Sequence, residues 1–140
     1  HGADGVPEAL HALDRVLAID ADDPDALEKK ATILFREGRV QDARPLFARA
    51  AASGPACGAS HVALAVLAGR DGRTAEAIAE LEKARRVAPG DAWILDRLHD
   101  AYVKSGDTVH AGELDRARRY FTKRARVETE ATAWLPAAWR

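Results

Sequence analysis

The sequence predicts an all-α protein made of antiparallel helix pairs that repeat along the chain, and three observations support this prediction. Alanine, leucine, arginine and glutamate, which all favour helices, dominate the 140 residues. Gly38, Gly72 and Gly106 follow one another at intervals of 34 residues. Pro55 and Pro89 are separated by the same interval. Because glycine ends helices in a left-handed conformation and proline stops them, the interval indicates a unit of two helices.

The helix boundaries follow from these stop signals and from start signals at the opposite ends. Asp23 before Pro24 is typical of an N-cap followed by proline at the first helical position. We predict seven helices, at residues 7–19, 24–37, 40–53, 58–70, 74–87, 91–105 and 108–126. They form one domain over residues 1–140, with a half repeat at 7–23, full repeats at 24–57, 58–91 and 92–125, and a C-terminal tail at 126–140.

The apolar residues that would pack the helices recur in each unit. They are Ala9, Leu13 and Val16 in the half repeat; Leu27, Ala31, Leu34, Ala43, Phe47 and Ala50 in the first full repeat; Leu64, Ala65, Ala68, Ala77, Leu81 and Ala84 in the second; and Leu95, Leu98, Tyr102 and Ala111 in the third. Lys30 departs from the pattern, His99 is expected to loosen the third repeat, and Asp115 and Arg118 stand where its last helix should pack. From about residue 7 to residue 122 the pattern resembles the tetratricopeptide repeat family, which implies a right-handed superhelix with a concave groove.

Composition excludes several classes of protein. The chain is 47% hydrophobic and 31% charged, which is typical of a globular domain. A net charge of −1 argues against bulk attraction to nucleic acid or membranes, and no apolar run reaches membrane-spanning length. The lone Cys57 excludes an intramolecular disulfide and says nothing firm about the compartment, for which we slightly favour the cytoplasm over the periplasm. The usage of alanine and arginine suggests a bacterial source, and the absence of methionine suggests that the chain was cut from a longer one.

The resemblance also implies which side chains line the groove, because the first helix of each pair faces it. These positions are Asp25, Glu28, Lys29, Thr32 and Arg36 in the first repeat; Ala59, Val62, Ala63, Val66 and Arg70 in the second; and Trp93, Asp96, Arg97, Asp100 and Lys104 in the third. Residues 58–69 carry no charge, so this helix is apolar on every side and needs cover on every side. We expect a helix or strand of a partner over Val62 and Val66, with Trp93 as an aromatic anchor. The alternative is that these small residues simply pack between helices.

No set of residues supports catalysis, a metal or another cofactor. His61, His99 and His110 fall in three different helices without metal-ligand spacing. Asp96 and Asp100 lie one turn apart and could act as paired carboxylates, but no nucleophile accompanies them. We therefore expect a protein that is not an enzyme.

Two further segments could bind partners. Residues 116–126 form a secondary basic surface, whose members are Arg116, Arg119, Lys123 and Arg126. It could bind nucleic acid or anionic lipid, meet the acidic N-terminal end of a second copy, or simply keep the last helix solvated. Trp134, Leu135 and Trp139 in the tail could dock on the last helices or fill the groove of the same or another copy.

These observations favour a non-catalytic scaffold that binds a peptide or helix of another protein in the groove. A periplasmic assembly or maturation factor that holds an unfolded client is one alternative. A basic-helix binder of nucleic acid or anionic lipid is the other, although we consider nucleic acid and membrane unfavourable partners. Salt would separate these possibilities, since phosphate contacts weaken with ionic strength and apolar contacts do not.

Overall fold

The computed structural model describes residues 5–53, 57–122 and 134–139. Within these ranges the chain forms seven α-helices and no strand: α1 (Val6–Ile19), α2 (Pro24–Arg36), α3 (Val40–Ala52), α4 (Gly58–Arg70), α5 (Thr74–Val87), α6 (Ala92–Ser105) and α7 (Thr108–Thr122). A short 3-10 helix, Ala137–Trp139, follows. The all-α prediction is confirmed, and every described helix end lies within one residue of its predicted position except that of α7, whose predicted continuation to residue 126 lies outside the described residues.

The three glycines at 34-residue intervals end their helices in the same way. Gly38, Gly72 and Gly106 have φ angles of 82°, 76° and 80°, the left-handed region that glycine adopts without steric cost. The N–H of the following residue bonds back five residues in each case: Arg39 to Leu34 at 2.8 Å, Arg73 to Ala68 at 2.8 Å, and Asp107 to Tyr102 at 2.9 Å. This hydrogen bond belongs to the Schellman motif, which reverses the chain so that the next helix can pack on the first.

The helices pack in sequence order. The pairs α2 with α3, α4 with α5, and α6 with α7 are joined through α3–α4 and α5–α6, and α1 packs on α2. The pairs bury most of the small and large residues predicted for them, including Ala31 and Phe47, Ala65 and Leu81, and Leu98 and Ala111, but Leu64 is only partly buried and Val16 of the half repeat is 42% exposed. The predicted N-cap is also present, because the Asp23 side chain accepts a hydrogen bond from the Ala26 N–H at 2.8 Å.

The residues that depart from the packing pattern form ion pairs instead. Lys30 pairs with Asp14 of α1 through its Nζ. Arg118 Nε lies 2.9 Å from Asp96 Oδ1, and Asp115 Oδ1 lies 3.3 Å from His99 Nε2. A polar network therefore joins α6 and α7 in the third pair. The loosening expected at His99 is not observed, since Leu95, Leu98 and Leu114 are all buried.

None of the described helices combines the length and apolar character needed to cross a bilayer. Over the same residues, no three His, Cys, Asp or Glu side chains come together as a metal site would require.

Candidate binding groove

The first helices of the pairs line two cavities along the groove. A cavity of about 720 Å³ lies where α1, α2 and α4 meet, and a cavity of about 320 Å³ lies among α4, α5 and α6. The predicted groove residues that line the first cavity are Asp25, Glu28, Lys29, Thr32 and Ala59. Those that line the second are Val66, Arg70, Trp93, Arg97, Asp100 and Lys104. The structure thus brings eleven of the fifteen predicted positions to the two cavities.

The chain itself supplies an occupant between these cavities. Trp134 lines the larger cavity and Trp139 lines the smaller one. Leu135, between them in sequence, is 1% exposed and belongs to the main hydrophobic core. We call residues 134–139 the tail segment. It lies in the groove of its own copy, which is one of the placements that the sequence left open.

Both tryptophans contact a residue that the sequence analysis missed. The Phe35 ring on α2 lies 5.8 Å from the Trp134 ring and 4.5 Å from the Trp139 ring, measured between centroids. Phe35 stands three residues after Thr32 and seven after Glu28, so the 3.6-residue helical period places it on the same face. Since this spacing was available in the sequence, the residue could have been found there.

Val62 and Ala63 differ from the open apolar surface expected of them. Both have 0% of their side chains exposed, and Val62 shares a buried cluster with Leu135. The cover that an apolar helix needs therefore comes from inside the molecule, and no partner is required to bury these two residues. Val66, one turn further along α4, remains half-buried at the wall of the smaller cavity.

The Glu28 side chain is hydrogen-bonded to another residue of the protein. Its carboxylate oxygen accepts the Ser60 hydroxyl at 2.6 Å and the Ser60 backbone N–H at 3.0 Å. The N-cap residue of α4 is Cys57, whose side chain makes no capping bond, so Glu28 satisfies a first-turn N–H from the neighbouring repeat. Burial, with smaller contributions from Glu28 and Asp25, raises the pKa of the Cys57 thiol, which makes it a poor nucleophile.

Asp96 and Arg36 are the remaining predicted groove residues. Asp96 pairs with Arg118 on α7, as described above, and lines neither of these two cavities. Arg36 is exposed at the end of α2 and lines neither cavity. The expectation that these two residues share a groove surface with Trp93 is therefore not met.

Cations stand over two of the aromatic rings in the groove. The guanidinium carbon of Arg70 lies 3.5 Å from the centroid of the Trp139 ring, and that of Arg97 lies 5.5 Å from Trp93. Such contacts favour aromatic ligands because the ring face is electron-rich. On α7, Arg116 and Arg119 are exposed, while Lys123 and Arg126 of the predicted basic surface lie outside the described residues.

An all-α stack of helix pairs with a lined groove defines a helical repeat scaffold. Residues 3–56 and 28–92 match the family model described as tetratricopeptide repeat. The match covers more than half of the chain, which therefore belongs to the tetratricopeptide repeat family. Proteins of this family are in general scaffolds for protein interaction rather than catalysts.

Solved structures with a similar fold include three of MamA. The structure named MamA MSR-1 C2 has a TM-score of 0.65 and 18% identity, with 89% of this chain and 72% of that one covered. MamA 41-end from Desulfovibrio magneticus RS-1 has a TM-score of 0.65 and 18% identity, with 89% and 71% covered. MamA AMB-1 P212121 has a TM-score of 0.65 and 20% identity, with 84% and 64% covered. At these identities the likeness concerns the fold alone. No curated protein sequence matches the chain.

Proposed function

We propose that this chain is a non-catalytic scaffold that binds a peptide segment of another protein along the groove formed by α2, α4 and α6. The observation that supports this proposal is the tail segment, which already lies in the groove with two aromatic side chains and one leucine against it. A groove that accommodates six residues of its own chain has the width and the apolar lining that a foreign peptide needs.

The lining favours a protein segment over a small substrate. Both cavities combine aliphatic and aromatic walls with charged side chains. A mixture of apolar and polar surface is typical of protein interfaces. The carboxylates of Glu28 and Asp96, which could have served acid–base chemistry, are bonded to Ser60 and paired with Arg118 respectively.

Photo-crosslinking in source cells tests the proposal. A benzophenone amino acid is placed at Lys29 beside the larger cavity, at Lys104 beside the smaller one, and at Val109 as the control. Val109 is 70% exposed on α7 and lines neither cavity. We expect adducts with the same protein from Lys29 and Lys104, and none with that protein from Val109.

A second set of variants distinguishes binding in the groove from nonspecific binding to the protein surface. Val66→Asp places a charge on the wall of the smaller cavity, and Val109→Asp makes the same change away from it. The adduct should disappear with the first variant and persist with the second. Equal adducts from all three positions, or adducts insensitive to Val66→Asp, would contradict binding in the groove.

A further inference from the structure

The tail segment shows which ligand chemistry the groove selects. The Trp134 ring packs against two phenylalanine rings, with its centroid 5.8 Å from that of Phe35 and 5.9 Å from that of Phe47. The Phe35 contact is edge-to-face, with 77° between the planes, a geometry that aromatic pairs favour. The first position is therefore built for an aromatic side chain.

The second position is also aromatic, and it has a different partner. The centroid of the Trp139 ring lies 4.5 Å from that of Phe35, and the guanidinium carbon of Arg70 lies 3.5 Å from the Trp139 centroid. An aliphatic side chain would keep the apolar contact but would lose the cation–π attraction. Phe35 is thus shared by both positions, which sets how far apart two ligand aromatics can be.

A tight turn produces the required spacing. The Trp139 N–H donates to the Pro136 carbonyl at 2.9 Å, and residues 137–139 form one turn of 3-10 helix. Ala137 and Ala138 within this turn are exposed, whereas Leu135 is buried. The groove therefore binds a segment that has an aromatic residue, an aliphatic residue directly after it, and a second aromatic residue five positions after the first.

The tail segment leaves room beside both rings. The cavity next to Trp134 measures about 720 Å³ and the cavity next to Trp139 measures about 320 Å³. A longer ligand can fill both volumes and gain contacts that the tail segment lacks. It can then displace the tail segment although that segment has the advantage of covalent attachment.

We infer that the partner is a segment with two aromatic side chains five residues apart, and that it competes with the tail segment for the same two positions on Phe35. This inference rests on the proposed function. Because the tail segment belongs to the same chain as the groove, its binding is intramolecular, and a free ligand must overcome that advantage. The tail segment thereby sets a threshold of affinity. Aromatic ligands that bind weakly are excluded from the groove, and those that bind strongly displace the tail segment.

A labelled peptide tests this inference directly. The probe is a fluorescein-labelled synthetic peptide with the sequence of residues 131–140, and binding is followed by fluorescence anisotropy. The protein is the full chain, either unchanged or with Trp134→Ala and Trp139→Ala together. We expect the double variant to bind the peptide, and the unchanged chain to bind it on the order of a hundredfold more weakly.

Two control peptides test the chemistry and the spacing. In one, both tryptophans are replaced by alanine; in the other, one of the two intervening alanines is deleted. Both should bind the double variant at least about tenfold more weakly than the probe. Equal affinity of the shortened peptide would overturn the spacing, and equal affinity of the two proteins for the probe would overturn the competition.

A second measurement keeps the inference testable if the double variant does not fold. The unchanged chain is labelled with 5-fluorotryptophan, and the fluorine resonances of Trp134 and Trp139 are followed as unlabelled probe peptide is added. Both should move together toward solvent-exposed positions. If they stay in place at millimolar peptide, the tail segment is not displaceable and the inference is wrong.

The outcomes also separate this inference from the proposed function. Photo-adducts with a protein that lacks such an aromatic pair would overturn the inference and leave groove binding intact. Peptide binding without any groove adduct in cells would contradict the proposed function and leave the measured specificity standing.

Discussion

The Glu28 carboxylate on α2 accepts two hydrogen bonds from Ser60 on α4, from its hydroxyl at 2.6 Å and from its backbone N–H at 3.0 Å. Ser60 is the third residue of α4, a position whose N–H has no partner within the helix. A side chain of one repeat therefore caps the first helix of the next repeat. This contact ties the two units together across the floor of the groove.

Replacing Glu28 should destabilise the protein through this cap. We expect Glu28→Ala to lower the free energy of unfolding by about 1–2 kcal/mol, because the α4 N–H and the buried Ser60 hydroxyl both lose their acceptor. Glu28→Gln keeps an acceptor oxygen and should cost less. Urea denaturation measures both. The control is Glu76→Ala, which removes only the exposed ion pair with Arg73 at 3.3 Å and should cost less than about 0.5 kcal/mol.

The turn between α4 and α5 allows a matched pair of glycine substitutions. Gly72→Ala places a side chain at φ +76° and should cost about 1 kcal/mol. Gly69→Ala lies three residues earlier inside α4, where a Cβ would meet nothing within 4 Å, and should stabilise the protein by about 0.5–1 kcal/mol. Opposite shifts in the thermal midpoint are expected. Shifts of the same sign would contradict the assignment of Gly72 as the helix-ending residue.

Leu135 should behave as a core residue although it stands near the end of the chain. Its side chain is 1% exposed in the main hydrophobic cluster, so Leu135→Ala should cost about 2–4 kcal/mol in urea denaturation. Val109→Ala, at a site 70% exposed, should change stability by less than about 0.5 kcal/mol. If the two substitutions have equal small effects, the tail segment does not dock in solution.

His110 should make stability fall as the pH rises through the raised pKa that this residue has in the folded state. Its Nδ1 lies 2.7 Å from Asp107 Oδ2, and this side-chain hydrogen bond raises the pKa of His110 above 6.5, with further contributions from the charges of Asp107, Glu113 and Glu82. A raised pKa in the folded state stabilises the protein below about pH 6.5 and loses that contribution as the pH rises through the folded value. Proton NMR titration of the imidazole measures the pKa directly.

The matched variant for this pair is Asp107→Asn, which keeps an N-capping side chain but removes the charge. The pKa of His110 should drop, and the difference in thermal midpoint between about pH 5.5 and about pH 8.5 should shrink. The pKa of Asp107 is itself lowered, first by the hydrogen bond from the His110 backbone N–H. Its contribution is therefore present above pH 3.8 and disappears as the pH falls through the lowered value. An unchanged His110 pKa in Asp107→Asn would contradict the pairing.

The helices were predictable because their signals are local. These signals, a left-handed glycine, an Asp–Pro helix start and a 3.6-residue period, act within one or two turns of chain. The roles of residues such as Gly72 and Asp23 can therefore be predicted without knowledge of the fold. The groove was predictable in part for the same reason. Thr32, Val66 and Trp93 line cavities because they share one face of their helices.

What the sequence did not predict is the group to which a side chain on the groove face bonds. The helical period places Glu28 on the groove face. Only the position of α4 in space shows that the Glu28 carboxylate accepts a hydrogen bond from a first-turn N–H of that helix. Asp96 lies on a similar face, and the last helix brings Arg118 to it at 2.9 Å. A periodic pattern assigns a residue to a surface, whereas its partner depends on which element packs there.

By itself, the sequence determined that the described part of this protein is a stack of seven helices in tetratricopeptide repeats, because glycine geometry, capping and helical period are properties of short stretches of chain. Only the tertiary structure decided what fills the groove. Trp134 and Trp139 belong to no repeat, and their contacts with Phe35 join segments that are remote in sequence. Such contacts depend on which apolar surfaces remain uncovered once the helices have packed, and no local pattern contains that information.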